Sequence, residues 1–388
     1  MTSGVTYKFT YAESEDDFLA LEDSWSALIA ANPDGNPFLT FEWQWSWWKS
    51  YAAKNTDTLK ILIATNPLTD QIVGIAPLML TKRAGLKSLR FIGTGRSDYL
   101  GLVTAGNDES ITTALLAHIF QLNGIWDYCM MSNIYSPTLL HMLESSSHSR
   151  ALVESRIYEY APYLPIDAGF DTYIKGKNKV FRKNIRRYAL STMEDGSDYE
   201  LKPFTIDDIN AKETVALFST IERKSWKYSA GTAHLDDSAD ISFWVGLLPQ
   251  FERKGWLSAW LLNHNDESVA FIIGFVYNNK MYTHTSAYVQ TDGGAGNIVR
   301  NNLIKTAFDL GLKEFDFMCG DEPYKLSWTD KKREVYQVVI AKPTPLALAY
   351  FLTIKLRWRL ARSQHLRAMR LWLKKLSHRL GTDAKNKD

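Results

Sequence analysis

The 388-residue sequence predicts an α/β (α+β) protein in two tandem copies of one unit, each a mixed, mostly antiparallel sheet flanked by helices, followed by a basic helical tail. Three observations predict it. Residues 59–80, LKILIATNPLTDQIVGIAPLML, and 256–277, WLSAWLLNHNDESVAFIIGFVY, each read as two apolar strands joined by a polar turn, the pattern of an antiparallel hairpin. Each hairpin is followed by a helical stretch, a glycine and a strand opening on aromatic-Asp-aromatic: ALLAHIFQLNGIWDYCMM in the first half, NLIKTAFDLGLKEFDFMC in the second. The same order, repeated at a shift near half the chain, indicates duplication.

Taking the elements in order, residues 13–31 and 40–53 read as helices, with Thr40 as N-cap of the second and Trp43, Trp47 and Trp48 near one face. That tryptophan cluster fits either packing against the sheet or a stacking platform for a ligand. Gly124 and Gly311 suit helix C-caps, where a left-handed backbone is cheapest without a Cβ, and place Asp127 and Asp316 at matching positions. The connection APYLPIDAGFD carries the Pro and Gly of a boundary, giving segments 1–165, 166–343 and a tail 344–388.

Composition narrows the classes. Hydrophobic residues at 45% and charged ones at 23% describe a folded chain. Nine Lys or Arg and no acid lie between Pro345 and Leu380, so the body is net acidic, a poor footprint for nucleic acid. Cys129 and Cys319 each sit in an apolar strand-like run, so neither a disulfide framework nor a cysteine-rich metal site is expected. No signal-peptide pattern opens the sequence and no run of 18 apolar residues occurs, from which a cytoplasmic location is expected.

Two stretches carry candidate chemistry. After the boundary, NKVFRKNIRRYALSTMED reads as a helix with Arg182 and Arg186, and Lys183 and Arg187, spaced four apart; it is either a solvated face or an anion site. The strand MYTHTSAYV runs into Gly293, Gly294 and Gly296, with a helix starting near Asn297, so free backbone N–H groups converge there; a flexible turn is the alternative. The helix leads into FDFMCGDEPYKLSW. Alternation points Asp316 away from Phe315 and Phe317, and a mid-strand acid requires a partner or a cleft. Beyond it, Asp321 or Glu322 has the chemistry to accept a proton, Tyr324 to return one, and Lys325 to neutralise charge on an oxygen. His284, alone in its strand, reads as a core residue.

The run from FRKNIRRYA through SVAFIIGFVY and GGAGN to GLKEFDFMCGDEPYKLSW resembles the acetyltransferase domain of CelD-like or BioF-type bacterial proteins in the GNAT superfamily. FLTFEWQWSWW, IVGIAPLML and LRFIGTGRSDYLGLV are similar to the N-terminal part of the same proteins, so the resemblance reaches about Ala341. It implies tandem GNAT folds, distantly like the FemABX aminoacyl transferases, and acyl transfer from acyl-CoA, typically acetyl-CoA, to an amine or hydroxyl, with no metal. It further implies that MYTHTSAYV and FDFMC are splayed strands holding the donor, that Gly293, Gly294, Gly296 and Asn297 form the pyrophosphate turn, and that Tyr324-Lys325 is the assisting aromatic-Lys pair. The acceptor implied is a small molecule, amino sugar or exopolysaccharide precursor. Asp98 and Tyr99, after the Gly-rich turn GTGR, and Trp226 are candidate acceptor contacts, with turn and core packing as the plainer roles. A catalytically silent scaffold of a polysaccharide-synthesis complex is the alternative; transfer from aminoacyl-tRNA is a third, without the helical arm that some FemABX members use. The tail spaces Leu352, Leu356, Leu360, Leu366, Leu373, Leu376 and Leu380 near a helical period with cations between. This suits a membrane surface, a protein partner or the body itself.

Overall fold

The computed structural model describes residues 7–362 except 53–56, 84, 122–123, 146–150, 189–198, 232 and 290–293. The first half runs β1 (Lys8–Ala12), α1 (Glu15–Leu19), α2 (Glu22–Ala30), α3 (Phe41–Trp47), β2 (Thr58–Leu59), β3 (Ile61–Thr65), β4 (Ile72–Ala76), β5 (Leu78–Arg83), β6 (Leu86–Phe91), β7 (Val103–Thr104), α4 (Glu109–Gln121), β8 (Tyr128–Ile134), α5 (Pro137–Ser145) and β9 (Leu152–Pro165). The second runs α6 (Phe170–Lys175), α7 (Lys179–Arg187), β10 (Tyr199–Phe204), α8 (Ala211–Arg223), α9 (Trp226–Ser229), α10 (Ser238–Arg253), β11 (Leu257–His264), β12 (Glu267–Tyr277), β13 (Lys280–Tyr288), α11 (Ala295–Asp309), β14 (Glu314–Asp316), α12 (Pro323–Trp328) and β15 (Lys332–Ala341), before α13 (Pro345–Arg362).

Local chemistry explains the hairpins. β3 and β4 pair antiparallel, as do β11 and β12. Asn265-Asp266 and Asn278-Asn279 take the paired positive φ values of tight two-residue turns, 50° and 63°, then 45° and 60°. Gly124 and Gly311 follow their helices at φ 80° and 63°. Thr40 caps α3 by accepting from the Trp43 amide. The single helix expected over 13–31 is broken at Ala20 and Leu21, where Leu21 turns into the core.

Four strands form one sheet in the order β1-β3-β4-β7, and the other eleven form β10-β11-β12-β13-β14-β9-β15-β8-β6-β5-β2. The duplication appears as two parallel pairs, β6 with β8 and β13 with β14, each bridged by a helix, α4 or α11. The strand that follows each pair crosses over. β9 hydrogen-bonds to β14 of the second half, β15 to β8 of the first, and the two pair with each other from Pro162 and Lys332 to Leu152 and Ala341. One sheet therefore spans both halves.

The largest core cluster lies at their junction. Trp43, fully buried, packs against Phe243, Trp244, Phe251 and Phe275 of the second half, while its indole N–H donates to Ser97 Oγ at 2.9 Å. The tryptophans at 43, 47 and 48 are packed core. Residues 363–388, with the tail leucines from Leu366 on, and the end, from residue 189, of the helix expected over NKVFRKNIRRYALSTMED lie outside the described residues. Among the described residues no helix is long and apolar enough to cross a membrane.

Candidate active site

β13 runs to Tyr288, but its partner β14 stops after three residues, with Tyr282 opposite Asp316. From Thr283 onward the β13 edge on that side has no partner strand, and the chain at 317–320 turns away. Several contacts hold this divergence. Met318 sits at φ 63°, a left-handed conformation costly for a residue with a Cβ, and its amide is taken by Asp316 Oδ1 at 2.8 Å. The next amide, Cys319, reaches Asp98 Oδ2 at 3.4 Å, and Gly320 N–H donates to Tyr160 O. Lys325, buried on α12, donates to the carbonyls of Met318, Cys319 and Gly320 at 3.2, 2.7 and 3.4 Å, and meets Glu322 Oε2 at 2.9 Å. Pro323 at the first helical position and the preceding Glu322 start α12 so that Lys325 faces inward.

The gap is a cleft of about 630 Å³ between the halves. Of the residues expected from sequence, Asp98, Trp226, Glu322, Tyr324 and Lys325 line it together. Asp321 is exposed and outside the lining. Asp316 and Tyr99 also lie outside it, buried at the junction: the Tyr99 hydroxyl donates to Asp316, and Arg333 Nη1 meets Asp316 Oδ2 at 3.1 Å. Burial raises the Asp316 carboxyl from 3.8 to about 6 against the pull of Arg333.

The glycine turn lies just past the cleft. Gly293 is outside the described residues, and α11 begins at Ala295, two residues before the expected Asn297, capped by Gly294 at φ 71°. A Cβ on Gly294 would lie 2.5 Å from the Tyr188 ring, and one on Gly296 2.5 Å from Tyr288, so aromatic crowding demands glycine at both. Asn297 Oδ1 accepts from Arg300 Nη1 at 3.0 Å. Tyr188 follows α7 directly, so its contact brings the end of α7, with Arg186 and Arg187, to the start of α11. Arg182, nearer the other end, donates to Lys175 O, and Lys183 is exposed. None of these cations lines the cleft.

Sequence reasoning missed Glu159, Lys227, His234 and Arg300, all cleft-lining, and gave His284 only a core role. Partial desolvation and the carboxylates of Asp321, Asp98 and Glu322 raise Glu159, an accessible side chain. Burial raises Asp98, with Lys325 pulling the other way. Burial lowers Lys227, against the attraction of Glu222. Arg300 lies 3.8 Å from the centre of the Tyr324 ring. It stands one helical turn after Gly296, a spacing that the sequence does offer as a signal. His284 packs among Phe38, Trp43, Trp244 and Phe275, and desolvation pushes it down to about 3, so it is neutral; its Nδ1 has no partner among the described residues. Burial, aided by Asp98 and Asp316, pushes the Cys319 thiol far up, which removes it as a nucleophile at neutral pH.

A parallel pair parted over a bridging helix, set in a sheet shared by two like halves, defines a two-unit α/β architecture. Residues 179–326 match the family described as acetyltransferase (GNAT) domain, so the chain carries a GNAT-type acetyltransferase domain. The solved structure of FemX superposes with a TM-score of 0.56 at 12% identity, covering 85% of this chain and 96% of that one. A conserved protein of unknown function from Bacteroides thetaiotaomicron VPI-5482 superposes at 0.53 with 15% identity, covering 86% and 100%. These two likenesses concern the fold alone. No curated protein matches the sequence. GNAT domains in general use acetyl-CoA, which supports acyl transfer as the class of reaction.

Proposed function

We propose that the protein transfers an acyl group, acetyl in the simplest case, from acyl-CoA to an amine or hydroxyl of a small-molecule acceptor. An amino sugar or an exopolysaccharide or envelope precursor is the acceptor that the CelD-like resemblance implies. The observation that carries the reading is the unpartnered β13 edge from Thr283 to Tyr288 opening onto the cleft. That edge offers backbone N–H and C=O groups to the amides of a pantetheine arm. The start of α11, with Arg186 and Arg187 docked beside it, suits the donor's phosphates. The bound donor supplies a thioester carbonyl; the protein's own groups do the rest.

In this reading Trp226 covers the acceptor, and Glu159, with its raised carboxyl, takes the proton as the acceptor nitrogen or oxygen bonds to the carbonyl carbon. Tyr324, steadied by Arg300, returns a proton to the sulfur as the carbon–sulfur bond breaks. Lys325 and Asp98 hold the 318–320 turn that forms the far wall.

The test is release of free thiol from acetyl-CoA over a panel of amines and amino sugars, with donor binding followed by calorimetry. Turnover is expected, with Glu159→Gln lowering kcat/KM by roughly 10²–10⁴ and removing the acid limb of its pH profile while donor affinity stays. Donor binding without turnover across the panel would favour a silent scaffold, and no donor binding would refute acyl-CoA.

A further inference from the structure

α13 has two apolar faces, only one of which the fold uses. Ala347, Phe351, Ile354 and Trp358 are buried against Tyr128, Val339 and neighbouring residues of the eleven-stranded sheet. On the opposite side, at a strict four-residue spacing, Leu348, Leu352, Leu356 and Leu360 are 39, 54, 57 and 42% exposed. An isolated exposed leucine is ordinary, but a row of four along one side of a helix is not. Lys355 is paired with Glu154 at 2.6 Å, while Arg357 and Arg359 are exposed beside the leucine row.

Charge selects what covers this face. A second copy packed parallel on it would bring Arg357 and Arg359 against their own images, a like-charge seam, and one packed antiparallel would offer them no acid, since residues 345–362 hold none. Residues 363–380 of the same chain carry five more Lys or Arg and no acid, so laying them over the row meets the same repulsion. A flat surface that is both apolar at depth and anionic at its rim satisfies leucines and arginines together.

We infer that α13 docks the protein on an anionic lipid surface, with the leucine row in the headgroup boundary and Arg357 and Arg359 on lipid phosphates. One row of four leucines gives reversible attachment, so binding depends on anionic lipid and weakens as salt screens it. Docking is independent of the acyl-transfer reading, since no α13 residue lines the cleft.

Flotation of the full-length protein with vesicles of phosphatidylcholine, with and without phosphatidylglycerol, tests this. Binding is expected only with phosphatidylglycerol. The double substitution Leu352→Glu and Leu356→Glu should lower the bound fraction about tenfold. Because both side chains are exposed, its thermal midpoint should match the parent, and Arg357→Gln with Arg359→Gln should weaken binding without touching an apolar contact. Absence of binding to anionic vesicles overturns the inference, as does binding undiminished by the leucine substitutions. If light scattering finds a dimer that those substitutions convert to monomer while vesicles stay bare, the second copy is the occupant and lipid is refuted.

Discussion

Tyr99 donates its hydroxyl to both carboxylate oxygens of Asp316, at 3.0 and 2.9 Å, from a segment 217 residues away in sequence. The bond crosses from the first half to the second, and Arg333 of β15 closes it from a third direction. Removing the hydroxyl leaves a buried carboxylate with one donor fewer. Tyr99→Phe is expected to cost about 2 kcal/mol, read as a lower urea midpoint of a single transition. A transition that splits in two would mean the junction is held elsewhere.

Two buried groups drive stability in opposite directions with pH. The Asp316 carboxyl titrates at about 6 in the fold and 3.8 outside it, so between these values the native state holds a proton that the unfolded chain has lost. Its contribution therefore falls as pH rises through that window. His284 runs the other way: its folded value of about 3 lies below 6.5, so the unfolded chain binds a proton that the native state refuses, and stability rises with pH toward 6.5. Asp316→Asn removes only the first slope. Denaturation midpoints measured from pH 4 to 7 should rise more steeply in the variant than in the parent; superimposable profiles would exclude the assignment.

Lys325 spends its ammonium protons on the carbonyls that end the parted strand. Lys325→Met, similar in length, leaves three inward carbonyls short of a donor and should cost about 3 kcal/mol. Lost thiol release in a variant of unchanged midpoint would instead put the amine at the reacting atoms. Paired unfolding and activity measurements on one preparation decide between them.

What the sequence made legible was what short-range chemistry controls. The Asn-Asp turn, the Thr40 cap and the glycines after α4 and α11 specify their own backbone, and they appear where expected. Asp316 was legible as an acid needing a partner, but Tyr99 and Arg333 come from distant segments that no spacing connects. Gly294 and Gly296 were legible as close approaches, though the approaching groups described are the Tyr188 and Tyr288 rings. Glu159 left no mark, because in an alternating strand it reads as one more outward acid until β15 and the 318–320 turn form a cleft wall beside it. His284 looked like core and is packed as core, yet it also lines the cleft, since the aromatic cage around it opens on one side.

The exchange of β9 and β15 bears on how the chain is made. As synthesis proceeds, β8 emerges with one flank open, and the strand that covers that flank, Lys332–Ala341, follows the other strands of the second half. β9 waits likewise, since both of its neighbours, β14 and β15, come from the second half. The first half therefore cannot finish folding during its own translation, and closure of the eleven-stranded sheet is tied to arrival of those ten residues.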